Sequence, residues 1–180
     1  MGQSLEDAVF HITSLISTYP PPFIYVHDPA TPHLVAPAIR ASLDGLRESQ
    51  EINLRYASVD AVLCFNARLL YDTILNALAK WEPDWDEGCS NWGGAYGQRF
   101  NDSLDGFLHG LQAIQASLKA EEGKGKARED QVDDQDIRLV ILVERAERLK
   151  EHMPDMLVPL ARLRELVSLL IHKSLIINEP

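Results

Sequence analysis

The chain has 180 residues, 46% apolar and 24% charged, which suits a globular chain with room for one core. Its 27 acids against 17 lysines and arginines leave a net charge of −10. That argues against a free-standing nucleic-acid binder, because phosphate contacts need a basic face, although an acidic subunit can sit beside DNA inside a complex. Two cysteines without paired spacing, Cys64 and Cys89, give neither a disulfide framework nor a metal knuckle and point to a reducing compartment.

The N-terminus carries acids early and no long apolar core, so it is not a secretory signal. No stretch approaches the roughly 18 apolar residues of a membrane span, and no membrane partner is expected. Met1-Gly2-Gln3-Ser4 loosely suggests a myristoylation start but lacks the hydroxyl residue five places after Met1.

In chain order, Leu5, Val9, Ile12 and Ile16 recur at helical spacing until Tyr19-Pro20-Pro21-Pro22 stops the helix. Phe23 to Val26 is a continuous apolar run, the signature of a buried parallel strand. A helix is predicted from Pro32 to Glu48, with Thr31 as its N-cap and Pro32 at the first position, where a missing N–H costs nothing. Residues 52–58 alternate Ile52, Leu54 and Tyr56 and read as a second strand, which closes a strand–helix–strand unit.

Ala67, Leu70, Tyr71, Ile74, Leu75, Leu78 and Trp81 then mark one face of an amphipathic helix between Cys64 and Trp81. Pro, Gly and Asn break it, leaving Trp85, Trp92 and Tyr96 in a loop at 85–96. Those aromatics are either a partner-binding patch or a cover for one sheet edge. Phe100, Leu104, Phe107, Leu108, Leu111, Ile114 and Leu118 set the next helix. Residues 120–136 hold seven acids, three bases and almost nothing apolar, and read as a flexible acidic loop.

The run from Ile137 to Val143 is the strongest strand signal, β-branched and buried on both faces. A final helix carries Met156, Leu160, Leu163, Val167 and Leu170, with Pro159 in its first turn, and the chain then runs out in HKSLIINEP. Alternating strands and helices predict an α/β domain, a parallel sheet of about three strands flanked by helices. Three strands make a thin sheet, so residues 1–180 read as a single incomplete domain.

The turn after the first strand is where an α/β fold grips phosphate. The pattern G-x-x-x-x-G-K-S/T places Val26 at the first glycine, Thr31 at the second, Pro32 at the lysine and His33 at the hydroxyl. All four are the wrong residue, Asp28 adds a negative charge, and Pro29 and Pro32 remove two N–H donors. Attraction from the helix N-terminus, about 1 kcal/mol, cannot hold a triphosphate alone. A turn that only reverses the chain is the simpler reading.

His27, Asp28 and His33 also allow a metal or acid–base site, a metal-dependent hydrolase. Against it, Asp28 can merely cap the turn, no third strong ligand is placed, and His11, His109, His152 and His172 share no spacing. No G-x-S-x-G elbow is present. Cys64 opens the predicted helix, where a thiolate is favoured, but its apolar flank suits core packing. At the end of the strongest strand, Glu144 stands where a nucleotidase keeps a metal-holding Asp, and Arg145 stands where the water-polarising Glu belongs.

The segments FIYVHD, CFNARLLYDTILNAL, GCS, FNDSLDGFLHGLQ and RLVILVERAERLKEHMPDMLVPLARLRELV carry a family likeness. The most distinctive part is the buried strand followed by Glu144-Arg145-Ala146-Glu147-Arg148-Leu149, matching an acid-x-A-E-x-L signature, and then Leu157 to Leu166. In this order, over about residues 10–167, the chain resembles the N-terminal part of the subunit 5 family of the origin recognition complex.

That resemblance implies a partial AAA+ P-loop-type three-layer sandwich inside a heteromeric complex that encircles origin DNA and loads the replicative helicase in the nucleus. It implies other origin recognition complex subunits as partners, DNA contact only through the complex, and a scaffold role without catalysis. The site it implies is a degenerate phosphate loop, Val26, His27, Asp28, Thr31, Pro32 and His33, with Walker-B-like Glu144 and Glu147. No cofactor is expected, with ATP and magnesium left open. The sensor strand, lid and winged-helix domain are expected to be absent, and the sheet edge so exposed is expected to favour self-association. Other readings are the hydrolase built on His27, Asp28 and His33, and a stand-alone interaction module built on the 85–96 loop.

Overall fold

The computed structural model describes residues 5–28, 30–49, 52–84, 86, 88–94, 97–125, 137–166 and 173–179. Among the described residues four parallel strands form the sheet: β1 (Phe23–His27), β2 (Leu54–Asp60), β3 (Arg138–Glu144) and β4 (Lys173–Glu179). Their order across the sheet is β1-β4-β3-β2. The register sets Asp60 beside Glu144, and Asn178 beside both Glu144 and Val26, so these residues share the C-terminal rim.

Alternation along β3 divides the core. Leu139, Ile141 and Val143 join one apolar cluster, and Val140 and Leu142 join the other. The second cluster is closed by α1 (Leu5–Thr18) and α2 (Pro32–Ser49), through Ile12, Ile16, Val35, Ile39 and Leu43. The first is closed by α3 (Ala67–Ala79) and α4 (Leu104–Gly125), through Leu70, Ile74, Phe107, Leu111 and Ile114. Helices therefore cover both faces of a parallel sheet, the α/β layering expected from the alternation of elements. Arg138, at the start of β3, donates to the carbonyls of Ile16 and Ser17, where a cation complements the C-terminal end of α1.

Four expectations change. The sheet has four strands instead of three: HKSLIINEP supplies β4, which takes the place between β1 and β3. Its apolar run, Leu175 to Ile177, is too short to stand out from the apolar residues before it. A further sheet strand is thus present where none was expected, and among the described residues the free edges of the sheet are β1 and β2. The acidic segment begins later than residue 120, because α4 runs on to Gly125; Ala, Glu and Lys are good helix formers whatever their charge. Residues 126–136 of that segment lie outside the described residues.

The chain after β3 is also more broken than one helix. It forms α5 (Glu147–His152), a 3₁₀ turn at Pro154–Met156, α6 (Leu157–Ala161) and α7 (Leu163–Leu166). Pro154 interrupts the first break, and Arg162, at φ −101° and ψ 14°, marks the second. Val167 and Leu170 of the predicted helix lie outside the described residues. Finally, Cys64 does not open α3. Asn66 does, its Oδ1 accepting from the Leu69 N–H at 2.9 Å. Cys64 is buried, which pushes its thiol up rather than toward a reactive thiolate.

Candidate functional site

In a parallel sheet the C-terminal rim of the strands is where ligands are taken. Here β1 ends in His27, and the turn that follows is organised by Asp28. Its Oδ1 accepts from the N–H groups of Ala30 at 2.9 Å and Thr31 at 3.3 Å, and its Oδ2 accepts from the Thr31 hydroxyl at 2.7 Å. The Thr31 hydroxyl and the two N–H groups hold this carboxyl below the usual carboxylate range. Thr31 stands at the predicted N-cap position before Pro32, its carbonyl accepting from Leu34 at 3.0 Å, while its hydroxyl donates to Asp28.

A carboxylate bonded this way stabilises the fold above its unfolded pKa, and that contribution is lost as pH falls through the lowered folded value. The acid limb of unfolding is accordingly expected to flatten in Asp28→Asn, below about pH 4. Circular dichroism across an acid titration reads this. An acid limb of unchanged steepness in the variant would count against the Asp28 network.

The other candidates of this turn do not converge. His27 is exposed and stacks on Tyr25, with ring centroids 6.4 Å apart, and His33 is exposed in the first turn of α2. Val26 is half-buried against the α1–α2 cluster, and Pro32 opens α2. Among the described residues no three His, Cys, Asp or Glu side chains gather as a metal site.

At the ends of β2 and β3 the carboxylates are all engaged. Glu144 Oε1 accepts from Arg40 Nη1 of α2 at 2.6 Å and from the Ser58 hydroxyl of β2 at 2.6 Å. Beside it, Asp60 Oδ1 accepts from Arg145 Nε at 2.9 Å and from the Val62 N–H at 3.0 Å. Arg145 makes this contact from a left-handed backbone, φ 54°, immediately after the strand. Glu147 opens α5, away from this pairing; its Oε2 is buried and meets no hydrogen-bond donor. Arg40, Ser58 and Asp60 were invisible as site residues. Arg40 and Glu144 are 104 positions apart and no motif spans them.

Of the loop aromatics, Trp92 is described, and it packs against α3 and Phe100. The Trp92 N–H donates to Asn76 Oδ1 at 2.8 Å, Trp81 Nε1 donates to the Ser90 carbonyl at 2.8 Å, and Trp92 stacks on Phe100 at 5.5 Å. A hollow of about 510 Å³ remains there, lined by Arg68, Asp72, Trp81, Trp92 and Arg99 among others, with Cys89 at its wall. Trp85 and Tyr96 lie outside the described residues.

With this geometry in place, comparison with solved structures finds a chain in the structure of Drosophila ORC bound to DNA. It superposes with a TM-score of 0.63 at 24% identity, over 97% of this chain and 37% of that one. The fold is ORC-like. The chain spans little more than a third of that neighbour's length, and no protein-family profile and no curated protein matches it. The small parallel sheet flanked by helices is compatible with a partial AAA+-like fold. No helix among the described residues is long and apolar enough to cross a membrane.

In an AAA+-like fold of this kind, a magnesium-bound nucleoside triphosphate would use the N–H groups of the turn after β1 and the carboxylate ending β3. The residues at this rim do not fit that ligand. The N–H groups of Ala30 and Thr31 point at a carboxylate of the chain itself. Glu144 is claimed by an arginine and a serine.

Proposed function

We propose that the chain is part of a non-catalytic, ATPase-like scaffold subunit of an origin recognition complex, of the subunit 5 kind. It works in the nucleus through contacts with other subunits of the complex and reaches origin DNA through them. One observation carries the non-catalytic reading. At the place where phosphate is gripped in this fold, Asp28 supplies the anion internally and occupies the N–H donors of the turn. Arg145, paired with Asp60, stands where a water-activating carboxylate is needed, which further supports a chain without hydrolysis.

The ORC-like fold and the ordered likeness to the subunit 5 family support the assembly half of the proposal. The surface charge of −10 fits a subunit that leaves phosphate contacts to its neighbours.

Titration calorimetry of the full chain with magnesium-ATP is expected to give no binding heat. Clear micromolar binding would overturn the non-catalytic half. Co-purification of the tagged full chain with other origin subunits from its own nucleus tests the assembly half, and their absence from the purified material would overturn it.

A further inference from the structure

We infer that Arg40 is the resident cation of the strand-end site: it neutralises Glu144 in the position a divalent metal would otherwise take, so α2 is tied to the sheet without metal. The inference deepens the proposed non-catalytic reading and rests on it for what the site once suited, but the geometry belongs to this chain alone.

The Glu144 side chain keeps only 18% of its surface exposed, and a half-buried carboxylate at a strand end needs a counter-charge. Arg40 supplies it and the Ser58 hydroxyl adds a neutral donor, both converging at 2.6 Å on the single oxygen Oε1. A metal would need that oxygen at roughly 2.1 Å for magnesium, and two donors of the chain already lie against it. Guanidinium does not lose its proton in the working range of a protein, so the partner of Glu144 is a permanent cation.

The adjacent strand end is treated alike. Asp60, beside Glu144 in the register, has Arg145 as its own guanidinium partner. Each of these two rim carboxylates is thus matched by one arginine of the chain. The consequence is mechanical. Arg40 lies on α2, Ser58 on β2 and Glu144 on β3, so one carboxylate oxygen joins three elements.

The test uses the full chain and its Arg40→Met, Glu144→Gln and double variants, melted in EDTA, in MgCl2 and in MnCl2. The wild-type melting temperature is expected to be the same in all three, with no bound Mn2+ in its electron paramagnetic resonance spectrum. Each single variant is expected to melt about 2–4 °C lower, and the double variant no lower than the worse single one, because one shared contact is lost once. Arg40→Lys, which keeps the charge but loses the fork, is expected to recover part of the fall.

Mn2+ bound by the wild type and lost in Glu144→Gln would overturn the inference, as would additive effects in the double variant. If Arg40→Met does not fold, Ser58→Ala and the wild-type Mn2+ measurement still decide it. Binding of ATP in EDTA, or failure to co-purify with origin subunits, would strike the scaffold reading and leave the role of Arg40 standing.

Discussion

Phe107→Ala is expected to lower the free energy of unfolding by about 3–5 kcal/mol, the range for removing a fully buried aromatic ring. Phe107 has no exposed surface and sits where α4 meets α3, its ring stacked on Tyr71 with centroids 4.6 Å apart at 16°. Tyr71 is itself 3% exposed, and its hydroxyl reaches Met156 Sδ at 3.3 Å, which ties the pair to the turn after α5. Deleting the ring therefore opens a cavity between two helices and loosens a third segment. Urea unfolding reads the change as a lower midpoint at constant slope. As a control, Leu63→Ala in the exposed turn after β2, 71% accessible, is expected to stay within about 0.5 kcal/mol of wild type. A Phe107→Ala loss as small as that of Leu63→Ala would show that the α3–α4 interface is not the core it is argued to be.

Where one physical signal dominates, the sequence spoke plainly. The faces of α3 and α4 repeat at helical spacing, and the run from Leu139 to Val143 can only be a strand buried on both sides. The turn after β1 was legible in place and in content, since neither glycine nor lysine is hidden there. The partners of the rim were not. Arg40 is one polar residue on the solvent side of an amphipathic helix, 41% exposed, and nothing local distinguishes it from Arg47 two turns on. Its meaning comes from Glu144, whose approach depends on how α2 lies across the sheet. The same limit hid β4: strand pairing is a long-range choice, and three apolar residues between polar ones do not announce it. The cap of α2 was legible in position but not in what its hydroxyl bonds. Asp28 and Thr31 both suit a helix start, and the ionised side chain took the N–H groups while the hydroxyl became its donor.

Removing residues 173–180 is expected to abolish cooperative unfolding, because β4 is an interior strand. It pairs with β1 over residues 23–27 and with β3 over residues 139–144, so its loss strips hydrogen-bond partners from both at once. β1 then has no strand beside it among the described residues, and the α1–α2 layer keeps only the β2–β3 side of the sheet to pack on. Two bare strand edges would also face solvent, a template for pairing between chains. The shortened chain should elute as aggregate in size-exclusion chromatography and melt without a sharp transition by circular dichroism. The point variant Ile176→Pro, which removes one ladder N–H in the same interior strand and cannot adopt its geometry freely, should move in the same direction with part of the effect. A monomeric truncated chain with the wild-type melting curve would mean that β1 and β3 do not depend on β4, and the order β1-β4-β3-β2 would have to be abandoned.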